Sequence, residues 1–231
     1  MKKITPVIIF IMLVILMDTF PYIPIAIFNI KINNLSETMK IIYNLCTDIG
    51  FIIIVYTLYR NRINKEFKEY IYNIKDNINI SINYYIIGLI IMIISNIIIS
   101  NLFTEATANN ENMVRLLINK YPLYMLFSVS IYAPFIEETI FRRSIKDITN
   151  HINNKLIKKY SYIIISGFIF ALMHVLGTAS NSLDYLYIIP YMALGSTFAA
   201  LYYKTDNLFN TITLHSFHNL IAIILYFIIG G

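Results

Sequence analysis

Seven apolar stretches, each close to the length of a membrane-spanning helix, dominate this 231-residue sequence. They lie near 4–29, 38–59, 81–103, 121–143, 160–177, 184–203 and 209–229. A helix needs about 20 mostly apolar residues to cross the hydrocarbon core. Only 13% of the residues are charged, against about 25% in ordinary soluble domains, and 58% are hydrophobic. Too few charges remain to coat a soluble particle, so much of the surface faces lipid. The fold class expected is all-α: a polytopic transmembrane bundle of about seven spanning helices. The seven glycines form neither a GxGxxG turn nor a phosphate-binding loop, which removes the usual support for nucleotide binding.

Charge orders these spans. Taking the connecting segments alternately, fourteen of the eighteen Lys and Arg residues fall on one side. They include Lys2, Lys3, the five between Arg60 and Lys75, the six between Arg142 and Lys159, and Lys204. The positive-inside rule makes that side cytoplasmic, with the N-terminus inside and the C-terminus outside. Anionic lipid accounts for the net charge of +5 better than nucleic acid, because no basic patch is interleaved with exposed aromatics. The first segment starts like a signal peptide but has no small-x-small cleavage site. It reads as an uncleaved anchor bent at its outer end by Pro21 and Pro24. Residues 60–80 read as a short amphipathic helix on the cytoplasmic face or as a flexible loop. Cys46, the single cysteine, reads as a small buried packing residue.

Ionisable side chains within hydrocarbon cost at least about 2.5–3.5 kcal/mol each on insertion scales. The spans nevertheless hold Asp18, Asp48, Glu137, Glu138, His174, His215, His218 and the polar Asn219. Glu138 and Arg142 are four apart, so they share a helical face and can pair. Glu137 is turned about 100° away, which leaves a second carboxylate free for proton transfer. Pro134 loosens the helix one turn earlier. Gly167, Ala171 and His174 form a stripe along which another helix can approach closely. His215 and Asn219 also share a face, and both can donate to a developing oxyanion. His218 lies on another side and reads as a packing or interface residue.

Height along the helices constrains their meeting. A fourth helix ending at Arg143 would put Glu137 about 9 Å above the cytoplasmic surface, and His174 about 22 Å above Lys159. The groups converge if the helix runs on toward residue 150, where residues 143–149 hold no proline or glycine, or if the helices tilt strongly.

Glu-Glu-x-x-x-Arg at 137–142, Phe-x-x-x-His at 170–174 and His-x-x-x-Asn at 215–219 together resemble the CPBP family. This is the family of CAAX prenyl proteases and of bacteriocin-processing or bacteriocin-immunity (Abi) intramembrane proteases. The stretches Leu194-Gly195 and Tyr203-Lys204-Thr205-Asp206-Asn207-Leu208 also look like that family. The resemblance covers about 121–229. It divides one integral membrane unit into residues 1–120, with three helices and the cytoplasmic segment, and a catalytic helical core at 121–231. It implies Glu137 as the general base for water, assisted by His174. Glu138 and Arg142 would hold the constellation, and His215 and Asn219 would stabilise the oxyanion. Members are commonly called metalloproteases, and Glu137, His174 and His215 could supply three ligands to Zn2+ with an open position. Metal-free water activation is the reading preferred here. Partners would be a lipid bilayer and a membrane-embedded or lipidated peptide. Some prenyl-protease members carry a further helix beyond the histidine–asparagine helix, and the stop at Gly231 weakens the expectation of strict CAAX processing; the resemblance also leaves open bacteriocin or peptide-signal maturation, or self-immunity.

A non-catalytic immunity protein that binds a bacteriocin or its target is the alternative. A proton-coupled transporter is a third reading, disfavoured by the absence of paired half-helix signals and internal symmetry.

Overall fold

A computed structural model describes residues 4–102 and 108–229. Lys2, Lys3 and the last two glycines lie outside the described residues, as do residues 103–107 at the end of the third predicted span. The described residues are almost wholly helical, with no strand among them.

Helix α1 (Ile4–Thr19) breaks before Pro21 and continues as α2 (Tyr22–Phe28), bent by 66°. Proline carries no amide donor, so the chain turns where the sequence places Pro21 and Pro24. Ser36 caps α3 (Glu37–Tyr72) by accepting a hydrogen bond from the amide of Met39. At 36 residues, α3 is about 54 Å long, well beyond the roughly 30 Å of a hydrocarbon core. Residues 60–72 are therefore a rigid continuation of a spanning helix, and neither a loop nor a separate surface helix. The chain turns at Asn73 straight into α4 (Ile74–Leu102). No proline or glycine occurs between residues 51 and 87, so nothing halts helix propagation. Cys46 is exposed, which corrects the expectation of burial. It lies on the same face of α3 as the exposed Ile42, Ile49 and Ile53, a face turned away from the bundle.

The short α5 (Asn109–Lys120) leads into α6, helical without interruption over residues 122–149. Two wide π turns lie within α6, Ser128–Tyr132 and Thr139–Ser144. Pro134 follows the first of them. Its missing amide and its ring both disfavour a regular bond to the carbonyl of Ser130, four residues earlier. α7 (Lys155–Leu176) is capped by Asn154, and α8 (Ile188–Thr205) ends at Asp206 in the left-handed conformation. α9 (Leu208–Ile229) completes the described chain.

Among the described residues, five helices are long and apolar enough to cross a membrane, and six if the bent α1–α2 pair is one span. The remaining predicted span is α6. Its charges do not face lipid: Arg142 and Arg143 are among the largest fully buried side chains. α6 runs on to Thr149, as the height of His174 requires. It packs against α1, α3, α7 and α9, where its Ile136, Ile140 and Phe141 join Leu13, Phe51 and Phe170 in one core cluster.

α7 and α8 cross where both backbones are bare. A Cβ on Gly167 would lie 2.8 Å from the backbone nitrogen of Ser196, and one on Gly195 would lie 3.2 Å from the Cα of Gly167. Neither position accepts a side chain without separating the helices. The polar ends also sort as the alternation of spans requires. Arg62 pairs with Asp147, and Lys146 with Asp206, at one end of the bundle. At the other, Glu37 meets Lys120 and Tyr121, while Asn109 donates to Asp184.

Candidate active site

The site is built on α6, between α7 and α9. Glu138 has no exposed side-chain surface. Its Oε2 accepts from Arg142 Nε at 2.8 Å, and its Oε1 accepts from Arg142 Nη2 at 3.2 Å. His215 Nδ1 also donates to Oε1, at 3.0 Å, since a carboxylate only accepts. The remaining arm of Arg142 donates to the Ser166 hydroxyl at 3.1 Å, and that hydroxyl donates to the Phe141 carbonyl at 2.6 Å. A buried ion pair offsets its desolvation only when its remaining groups are also bonded. Here three helices supply those bonds.

Glu137 is in a different situation. It is one residue away yet 18% exposed, and its Oε2 has no hydrogen-bond partner. His174 Nε2 stands 3.8 Å from that oxygen, beyond direct hydrogen-bond reach. His174 Nδ1 donates to the Phe170 carbonyl at 2.9 Å, which fixes the ring and turns Nε2 toward Glu137. The Gly167–Gly195 crossing brings the same ring against Tyr191 of α8, with centroids 4.8 Å apart. The small-residue stripe thus places His174 against a neighbouring helix, as its spacing predicts.

Phe170 is the hub of the site. Its ring lies 4.3 Å from that of His174 and 5.8 Å from that of His215, and the Arg142 guanidinium sits 4.6 Å from its centroid. The sequence marks Phe170 only as a motif position, and its cation–π contact depends on the α6–α7 packing. Ser166 and Phe198 are further contacts that no sequence signal announces. Phe198 stacks on His215 at 5.5 Å.

His215 and Asn219 do face α6 together, but they engage it at different heights. Asn219 Nδ2 donates to the carbonyl of Val129 at 2.8 Å. Val129 lies in the first π turn, where regular helix bonding is disturbed, and a side-chain amide satisfies its carbonyl. His218 packs on α4, where Tyr85 meets its Nδ1 at 3.0 Å. Asp48 is buried and accepts from the Tyr124 hydroxyl at 3.1 Å, whereas Asp18 is exposed.

Among the described residues no three His, Cys, Asp or Glu side chains gather into a metal-binding set. Of the expected trio, Glu137 and His174 approach each other, while His215 donates through Nδ1 to Glu138.

Residues 119–221 match a protein family described as type II CAAX prenyl endopeptidase Rce1-like. The match takes in every motif residue from Glu137 to Asn219. The match is consistent with the CPBP family. No curated protein matches the chain, and no solved structure does.

Proposed function

We propose that this chain, whose residues 119–221 match the Rce1-like endopeptidases, cleaves peptide bonds in membrane-embedded, lipidated or amphipathic peptides. The observation that carries this reading is the contrast within one pair of carboxylates. Glu138 is fully bonded, while the Glu137 Oε2 has no partner and faces an imidazole nitrogen 3.8 Å away.

In the reaction, Glu137 takes a proton from a water molecule, and the hydroxide attacks the scissile carbonyl carbon. His174, fixed through Nδ1, accepts a hydrogen bond from that water at Nε2. Electrons shift to the carbonyl oxygen, where His215 Nε2, when protonated, donates. Asn219 has a second N–H beyond the one given to Val129, and it donates there too. The C–N bond then breaks, Glu137 returns its proton to the leaving nitrogen, and an amine and a carboxylic acid result, the acid then losing its proton to the amine or to solvent. A positioned general base is worth about 100- to 10,000-fold, and one oxyanion donor about 100- to 1,000-fold. Every step is written with the chain's own side chains. Bacteriocin or peptide-signal maturation, or self-immunity, is the role proposed, in a plasma membrane with the Lys/Arg-rich end cytoplasmic.

The test uses the full chain in proteoliposomes, with an S-farnesylated CAAX peptide and an unprenylated amphipathic peptide as probes. Glu137→Gln should lower kcat by about 100-fold or more while insertion and accumulation stay normal. Normal cleavage by that variant overturns the hydrolase reading. Protection against a bacteriocin that survives both Glu137→Gln and His174→Ala would establish the binding-protein alternative. Cleavage should persist after chelation, with less than one equivalent of zinc by mass spectrometry. Stoichiometric zinc together with chelator-sensitive activity would make the enzyme a metalloprotease.

A further inference from the structure

Glu66 lies on the part of α3 that runs past the membrane core, outside the segment that matches the endopeptidase family. It is almost wholly buried, and so is its partner Arg143, with side-chain exposures of 7% and 0%. Glu66 Oε2 accepts from Arg143 Nη2 at 2.5 Å and from the backbone amide of Leu208 at 2.8 Å. The backbone carbonyl of Glu66 accepts from Asn207 Nδ2 at 2.7 Å. One residue of α3 therefore holds both α6 and the first residue of α9.

Both contacts lead directly to the site. Arg143 follows Arg142, the residue that fixes Glu138. Leu208 is seven residues, or about two turns, before His215 on the same face of α9. We propose that Glu66 is a positioning residue, which sets the register of α6 against α9 and thereby the meeting of Glu138 with His215.

The physical case has three parts. A helix start leaves amides without partners, and a carboxylate there satisfies one and complements the helix dipole. Other polar links brace this start as well: Asn210 accepts from Ser81 at 3.1 Å and donates to Asn77 at 3.2 Å. Secondly, Arg143 lies inside the π turn Thr139–Ser144. A wide turn can shift by one residue along a helix unless a side chain pins it, and a shift would rotate Glu138 and Arg142 out of alignment. Thirdly, a buried ion pair adds little net stability over well-packed apolar residues, and its best-attested use is to specify register.

The experiment uses the full chain in micelles with 15N-labelled histidine, together with the proteoliposome assay on the S-farnesylated peptide. The kinetic arm rests on the hydrolase reading, and the spectroscopic arm does not. Glu66→Gln should shift the His215 ring resonances, and lower kcat by about tenfold or more with KM unchanged, since misplacement by about 1 Å can cost about 100-fold. Glu66→Asp should recover part of both. Lys65→Gln, which breaks an exposed pair with Glu69 on the same stretch of α3, should change neither. If Glu66→Gln fails to accumulate, Arg143→Lys takes its place and should shift the same resonances. A wild-type His215 spectrum in Glu66→Gln or Arg143→Lys overturns the proposal, as does an unchanged kcat. Should Glu137→Gln remain active, the hydrolase reading fails while the His215 spectrum still decides the role of Glu66.

Discussion

Glu138 has no exposed surface, and both of its oxygens accept hydrogen bonds, whereas its neighbour keeps one oxygen without a partner. The two residues should accordingly separate stability from activity. Glu138→Ala leaves Arg142 buried and without its counter-charge, and breaking a buried pair in this way costs about 3–5 kcal/mol. An SDS titration of the purified chain should show that loss. Glu137→Gln removes charge from an oxygen that bonds to nothing, so its stability should stay within about 0.5 kcal/mol of wild type while peptide cleavage collapses. Equal destabilisation by the two substitutions would contradict the division of labour. The division itself was legible from spacing alone, since i,i+4 pairing of Glu138 with Arg142 turns Glu137 aside. The bond from Asn219 to Val129 was not legible. It depends on a π turn, and a backbone register of that kind is set by packing that no local residue pattern encodes.

The crossing of α7 and α8 puts His174 in place, so a side chain at Gly167 should disturb the site without touching it. A Cβ there would lie 2.8 Å from the Ser196 nitrogen, which is backbone and cannot move aside as a flexible side chain would. Gly167→Ala should therefore spread α7 from α8, lower the temperature at which the protein loses its monodisperse form, and reduce kcat. Gly177→Ala is the matched control. Nothing lies within 4 Å of its added Cβ, and its φ of −78° suits any residue. Wild-type behaviour of Gly167→Ala would mean that the helices are not in backbone contact. The Gly167–Ala171–His174 stripe announced this crossing, as the run of residues without a breaker announced that α6 continues to Thr149. The full reach of α3 was less legible, because a helix running past the hydrocarbon core leaves no break in composition that sets it apart from a separate surface helix. Buried Ile63, Glu66 and Tyr70 stand at helical spacing and carry the signal that the helix continues.

Across the whole molecule, loop contacts divide into two sets that never mix among those described above. The Arg62–Asp147 and Lys146–Asp206 pairs tie the segments that charge counting puts on the cytoplasmic side. The Glu37–Lys120 and Asn109–Asp184 links tie the segments that it puts outside. Such a partition is what single crossings by all the predicted spans would give, α6 included, even though α6 carries four charged side chains between Glu137 and Arg143. Those charges are tolerated because α3, α7 and α9 supply their partners, Glu66, Ser166 and His215. The N-terminal helices, where the sequence offers no catalytic motif, are thus part of the environment that keeps the motif residues buried. Accessibility tests the arrangement directly. In a Cys46→Ser background, Asn33→Cys should react with an impermeant maleimide added to intact cells. Lys68→Cys and Lys158→Cys should react only after the membrane is opened. Labelling of Lys68→Cys from outside would invert the topology. Labelling of Lys68→Cys and Lys158→Cys from opposite faces would break the bundle as drawn, because the Glu66–Arg143 contact requires the two segments to share one side.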